Sequence, residues 1–506
     1  MKTVLLTFTL VFLAFCAFAQ NQNNIWYFGQ FAGLDFNGKS PKSLTNGQLK
    51  TNEGCASISD KYGNILFYTD GKAIWNKKHE VMKNGSGLFG NDSSTQSAII
   101  TSYPGNDQLF FVFTVAISEG NISYSIVNIL GDGGLGEVTQ KNNFLLGKAT
   151  EKLTATKHSN GKDIWVIGHK AQSSDFYVWL LTKNGVSDSP VISTIGTSES
   201  GQSTSNIGSV KLSGNGSVLA VTANNTNGGF LELYKFDKST GTISGPQKLT
   251  GFGSEIPYGI EFSPNGTLLY VSGYNNIDKG KIYQLQIPFT PGLITDKATV
   301  LSSLVEPGSL QLASDGKIYL SQRGSAFLHA INFPNKQGVD CSFTTNAVYL
   351  NGKTSTLGLP QYNVMSSDEL LFSAEDFCAS DVTKFTIQSF TGDYEDIIWD
   401  FDDPGSGLAN ISNDKKPVHQ FSKPGDYNVR VTVFLYGIPQ TYTQKVTIFP
   451  AVTTKPTMIA DNAALCDTGK VNINDTGATA SLKYNWYDET KILIEQNSGN
   501  FKTPHC

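Results

Sequence analysis

The chain has 506 residues, a formal net charge of -5, 39% hydrophobic residues and only 16% charged residues. That length exceeds one ordinary domain, and without a basic excess a nucleic-acid partner or an anionic membrane surface is disfavoured. Thirty-one Phe and 20 Tyr beside 50 Gly favour strands and tight turns, while no long 3.6-residue periodicity favours helices.

The N-terminus reads as an address. Lys2 is followed by an apolar run from Val4 to Phe18, and Ala17-Phe18-Ala19 offers a cleavage point before Gln20. Residues 1–19 are therefore expected to be a secretory signal peptide, too short to span a bilayer. The mature chain is expected to be exported, extracellular or at the cell surface, with no membrane span after cleavage. Cys16 leaves with the signal, so Cys55, Cys341, Cys378, Cys466 and Cys506 remain. An oxidising compartment permits bridges, and an odd count leaves at least one thiol free. Cys55, among small residues, is the candidate free thiol. Cys341 with Cys378 and Cys466 with Cys506 are candidate disulfides, with connectivity left open. No Cys-x-x-Cys occurs, which removes thioredoxin and zinc-ribbon readings.

Residues 20–367 repeat at about fifty residues. Each copy has a turn with Asn or Asp and Gly, then a run of β-formers. Ser213-Gly214-Asn215-Gly216, Ser263-Pro264-Asn265-Gly266 and Ser314-Asp315-Gly316 are the clearest turns; those around Gly63, Gly105 and Gly161 are related. Asn-Gly and Asp-Gly supply the positive φ of a hairpin turn. Units of this length with about four strands are propeller blades, because one four-stranded sheet cannot cover both its faces alone. The expected fold class is all-β: a seven-bladed β-propeller, with six or eight blades as alternatives, and a β-sandwich array as the competing architecture. Residues 358–363 are expected to give the inner strand of the seventh sheet, and residues 25–28 and 33–36 its outer strands.

Beyond about residue 370 the pattern changes. Trp399-Asp400-Phe401-Asp402-Asp403-Pro404-Gly405 precedes Phe421-Ser422-Lys423-Pro424-Gly425-Asp426-Tyr427, and residues 428–433 alternate as a half-buried strand should. Residues 370–450 resemble a PKD β-sandwich domain, although Asp402-Asp403-Pro404-Gly405 departs from the usual Gly-Asp-Gly turn. Trp399 and Tyr427 are expected to be core anchors. Residues 451–506, with Cys466 and Trp486, read as a partial immunoglobulin-like domain cut short.

The series Asn24-Ile25-Trp26-Tyr27-Phe28-Gly29, Asn52-Glu53-Gly54-Cys55-Ala56, Leu66-Phe67-Tyr68-Thr69-Asp70-Gly71, Ser94-Thr95-Gln96-Ser97 and Gly358-Leu359-Pro360 resembles the propeller region of large secreted PKD-containing proteins of gliding-type Bacteroidota. Members are often labelled gliding motility-associated or type IX-secreted surface proteins. The resemblance implies export, contact with a secretion machinery, and an adhesive or scaffolding role rather than a reaction.

Tempting motifs lack their context. Gly33-Leu34-Asp35-Phe36-Asn37-Gly38-Lys39-Ser40 fits a P-loop expression, but Pro41 follows and no helical pattern does. Gly131-Asp132-Gly133-Gly134-Leu135-Gly136 fits a dinucleotide fingerprint, yet lies between β-runs. His158 and His169 could flank a hairpin without a third zinc ligand. Asp400, Asp402 and Asp403 are read as turn caps before an ion site. No catalytic, cofactor or metal residue is assigned, no cofactor is expected, and no pair of acids stands out. The sequence favours a non-catalytic, adhesin-like binding protein, not an enzyme, whose propeller loops bind an extracellular glycan or surface protein and whose later domains act as spacers. The alternatives are a polysaccharide-active propeller enzyme (glycosidase or lyase), which needs convergent carboxylates at one channel mouth, and a structural part of a surface filament or gliding machinery.

Overall fold

The computed structural model describes residues 21–506 apart from 118–119, 200–205, 226–227, 275–278, 288–290, 363–371, 376, 378, 380, 388–395, 436–437 and, after residue 450, everything but short strands given as backbone. The expected signal peptide, Cys378, Cys466 and Cys506 lie outside the described residues. The chain divides into two compact units, one reaching to Leu371 and the other built mainly on Phe372–Ile387, Ile397–Thr432 and the residues from Thr441 onward. No helix among the described residues is long and apolar enough to cross a membrane.

The first unit is a propeller. Six blades of mainly antiparallel strands follow one another in sequence, opening with the strands Ala56–Ser59, Ala98–Tyr103, Ala149–Lys157, Val210–Leu212, Ile256–Phe262 and Pro307–Leu312; the first two are joined into one eight-stranded sheet by a parallel pairing of Glu137 with Lys83. In the fifth, for example, Ile256–Phe262, Leu268–Tyr274, Lys279–Gln286 and Ala298–Val305 lie in that order. The opening strands of successive blades neighbour one another and form the axis. The seventh sheet comes from the N-terminal part: Ile25–Phe28, Ala32–Asp35 and Lys42–Leu44. The expected inner strand at 358–363 reaches the axis but is held by single bridges, Pro360 to Cys55 and Tyr362 to Ile100, instead of a ladder.

Backbone bonds close the ring there. Ser309 N–H donates to Leu357 O at 2.6 Å, Leu357 N–H to Asn52 O at 3.0 Å and Gln361 N–H to Cys55 O at 2.9 Å. The sixth blade is thus tied to the first through residues 357–361. Burial completes the closure, since Trp26, Phe28 and Leu34 are fully covered and pack with Tyr319, Leu328 and Leu359. A buried side chain of this size contributes about 1.5–3 kcal/mol.

The repeated turns do what their residues require. Gly63, Gly105, Gly161, Gly216, Gly266 and Gly316 each stand between the first and second strands of a blade with φ from 67° to 85°. The preceding Asn or Asp side chain staples the turn, as where Asn215 Oδ1 accepts from Ser217 N–H and Asn265 Oδ1 from Thr267 N–H, both at 3.0 Å. These turns all lie at one mouth, opposite the starts of the opening strands.

A buried hydroxyl on the second strand locks three blades to their successors. Thr222 Oγ1 accepts from Ser209 N–H at 2.9 Å and donates to Tyr258 O at 2.8 Å. Ser272 Oγ accepts from Gly259 N–H at 2.9 Å and donates to Gly308 O at 2.7 Å. Ser321 Oγ donates to Leu357 O at 2.8 Å. Each satisfies axial backbone groups that no ladder reaches, which matters because an unpaired buried group costs about 1–3 kcal/mol.

Cys341 is a buried thiol, free among the described residues, in the core with Leu268, Tyr270 and Leu310; its expected partner Cys378 lies outside the described residues. It sits on the turn Gly338–Cys341, which Gln284 fixes by accepting from Gly338 N–H at 2.7 Å. Cys55 is likewise buried and free.

In the second unit, Phe372–Glu375, Thr383–Ile387 and Val418–His419 form one sheet, and Ile411–Ser412, Asp396–Asp400, Gly425–Leu435 and Ile438–Ile448 another. Trp399 is fully buried among Phe372, Phe385 and Phe401, and Tyr427 is half-buried against Phe421. The three aspartates are engaged within the fold. Asp400 Oδ2 takes Arg430 at 2.7 Å, Asp402 Oδ2 accepts from Asn428 N–H at 2.9 Å, and Asp403 Oδ2 accepts from Ser422 N–H at 2.8 Å. After residue 450, Thr457–Ala460, Lys470–Asn474 and Asn500–Lys502 share a sheet, and Asn485–Tyr487 pairs with Leu493–Gln496.

Candidate functional site

The mouth where the opening strands begin gathers side chains from four of the blades. Glu53 precedes the first blade's opening strand, Thr95 and Gln96 precede the second's, Glu151 and Lys152 start the third's, and Tyr258 lies near the start of the fifth's. Distant stretches meet here because each blade delivers its strand start to the same end of the axis.

Glu53 is the partly exposed member. Its Oε2 accepts the Tyr258 hydroxyl at 2.8 Å and its Oε1 accepts Ser93 Oγ at 3.3 Å. Burial, with the Glu151 charge second, raises the Glu53 carboxyl to about 7, against the pull of Tyr258, Ser93 and the Arg323 guanidinium. The backbone approach is close. A Cβ on Gly358 would stand 1.7 Å from Glu53 O, so only glycine fits beside it.

Glu151 is buried, and its Oε2 accepts both the backbone N–H and the hydroxyl of Thr95 at 2.9 Å. Burial pushes its carboxyl up while the Thr95 bonds hold it down. Tyr258 is almost fully covered, and burial holds its phenol strongly in the neutral form. Burial thus raises the proton affinity of both carboxyls, and Glu53 is the partly exposed one of the two.

Below this layer the axis is plugged by polar side chains. Gln96 Oε1 accepts from Val210 N–H at 2.8 Å and Leu153 N–H at 3.2 Å. Lys211 Nζ meets Glu261 Oε2 at 2.6 Å and Gln311 Oε1 at 2.8 Å. To one side, the fully buried Lys152 spends its three protons on Glu199 Oε2 at 2.6 Å and on the carbonyls of Asn206 and Ile207 at 3.3 Å. His169 packs beside Glu199, and burial holds it neutral. This group supports the third blade instead of facing a ligand.

Around the rim stand ion pairs. Lys72 meets Asp92 at 3.0 Å, Lys281 meets Glu255 at 2.9 Å and Arg323 Nε meets Glu306 at 3.4 Å. Tyr274 donates to Glu306 Oε1 at 3.3 Å, and its ring centroid lies 6.1 Å from that of Tyr258.

The motifs singled out in the sequence lie elsewhere. The P-loop-like stretch spans the hairpin between Ala32–Asp35 and Lys42–Leu44. The glycine-rich stretch is a tight turn with positive φ at Asp132 and Gly133. His158 stands by Trp165 at the turn mouth, apart from His169. Among the described residues no cluster of His, Cys, Asp or Glu fits a metal ion. Sequence reasoning passed over Glu53, Glu151 and Tyr258; Glu53 and Thr95 fell inside stretches carrying the family resemblance, but nothing local marked them as partners.

No protein-family model and no curated protein sequence matches this chain. In fold it is similar to a proposed 6-phosphogluconolactonase of Bacteroides uniformis, at 12% identity and a TM-score of 0.43, covering 67% of this chain and 98% of that one. A periplasmic gluconolactonase of Pseudomonas aeruginosa is similar at 10% identity and a TM-score of 0.37, covering 66% and 87%. The Dos1 propeller is similar at 11% identity and a TM-score of 0.38, covering 66% and 87%. These likenesses concern the propeller fold. The expectation that the chain is not an enzyme is withdrawn: propellers of similar fold include proteins named as lactonases, and a likeness at this identity concerns the fold alone.

Proposed function

We propose that the chain is an exported propeller that binds an extracellular glycan at the mouth where its opening strands begin, and acts on it by acid–base chemistry. The observation that carries this reading is Glu53: a partly exposed carboxyl near pH 7, held by Tyr258 and raised in part by Glu151. Such a group gives a proton to a leaving oxygen, or takes one from a sugar carbon, at neutral pH. The neighbouring Glu151 helps to sustain its proton affinity. The neutral Tyr258 orients Glu53 Oε2, while Oε1 accepts from the Ser93 hydroxyl.

The resemblance to secreted PKD-containing proteins of gliding-type Bacteroidota supports export and binding at a surface, with the second unit as a spacer. The test is a panel of polysaccharides incubated with the mature chain, scored for bound polymer and for new reducing or unsaturated ends. Turnover that Glu53→Gln abolishes while binding persists supports the reading. A chain that neither binds nor cleaves any glycan overturns it.

A further inference from the structure

We infer that the glycan taken at this mouth is anionic, and that Arg323 selects it by pairing with a sugar carboxylate or sulfate beside Glu53. This rests on the reading of the mouth as a glycan site. The three rim ion pairs share an orientation. Side-chain exposure is 48% for Lys72 against 31% for Asp92, 44% for Lys281 against 5% for Glu255, and 42% for Arg323 against 27% for Glu306. In each pair the cation is the more exposed partner. The pairs are neutral as units, and the cation is the partner more open to an arriving polymer.

Arg323 is the best placed of the three. It occupies the turn between Ile318–Gln322 and Phe327–Ile331, where its N–H donates to Glu306 O at 3.2 Å. Its Nε edge is set by Glu306 at a long 3.4 Å. Glu306 is steadied by Tyr274, whose ring neighbours Tyr258, whose hydroxyl holds Glu53. A continuous chain of contacts thus fixes the guanidinium relative to the acid. A guanidinium has five donors in a planar fork that suits an oxyanion, and Lys lacks this geometry.

The experiment measures binding of the mature chain to a polyuronate, a sulfated polysaccharide and a neutral glucan, by calorimetry at low and high salt. The expected result is that at least one anionic polymer binds about tenfold or more tightly than the neutral one, as one charge-assisted contact gives. Arg323→Gln should lose that margin, and Arg323→Lys should recover only part of it. Glu306→Gln, which frees the guanidinium, should bind the anionic polymer at least as tightly as the natural chain, guarding against loss through misfolding. Preference for polyuronate over sulfated polymer, or the reverse, identifies the anion. Equal binding of neutral and anionic polymers, or an Arg323→Gln chain that keeps the margin, overturns the inference and leaves the glycan reading standing. Binding of no glycan at all overturns both.

Discussion

The Tyr258 hydroxyl donates to Glu53 Oε2 at 2.8 Å, joining the fifth blade to the residue that precedes the first. The bond ties two strand starts across the axis and sets the chemistry of the mouth, because it opposes the burial that raises the Glu53 carboxyl.

Glu53 makes stability pH-dependent. Its folded value near 7 exceeds the ordinary 4.5. Below about 4.5 both folded and unfolded chains carry the proton. As pH rises toward 7 the unfolded chain ionises first, so folding stability falls, by at most about 3 kcal/mol and less for the partial exposure of the group. Glu53→Gln should flatten that fall. Thermal melts from pH 4 to 8 check it; an unchanged slope would remove Glu53 as the cause.

Tyr258→Phe deletes a bond that stabilises the ionised Glu53. The midpoint of the same pH transition should move upward, and stability near pH 8 should drop by about 1–2 kcal/mol. A downward midpoint would contradict the geometry.

Lys152 and Glu199 form a dry ion pair. Lys152→Met leaves a buried carboxylate without its cation and should cost about 3–5 kcal/mol in urea denaturation. Adding Glu199→Gln should recover much of that, since the stranded charge is removed. A double variant as unstable as the single one would show that the loss lies in packing.

Thr222→Val keeps shape but removes the relay from Ser209 N–H to Tyr258 O. The expected loss is about 1–3 kcal/mol, measured by urea denaturation. A loss below about 0.5 kcal/mol would mean that water or local shift replaces the hydroxyl.

Cys55 and Cys341 are buried, and burial raises both thiols. Neither should react with iodoacetamide in the native chain, and both should react once denatured, by peptide mass mapping. Labelling of either in the native state would contradict its burial.

The propeller was legible because its turns obey a local rule. Gly216, Gly266 and Gly316 need positive φ, Asn215, Asn265 and Asp315 staple the turns, and both requirements recur with the blade length. Trp399 was legible as a core residue because a large aromatic beside an alternating strand must be covered. The bonding partner of Cys341 was not, since pairing depends on where distant chain segments lie.

What the sequence by itself determined is a ring of hairpin-built blades, because hairpin turns and strand faces are set within a few residues. Only the tertiary structure decided that Glu53, Thr95, Glu151 and Tyr258 meet. Glu53 and Thr95 lie in the stretches leading into opening strands, and Glu151 and Tyr258 at the irregular starts of such strands, at the mouth opposite the recurring Asn-Gly turns, where no repeat constrains the residue. Their contacts, and the proton affinity that follows from burial and neighbouring charge, exist only once the ring has closed.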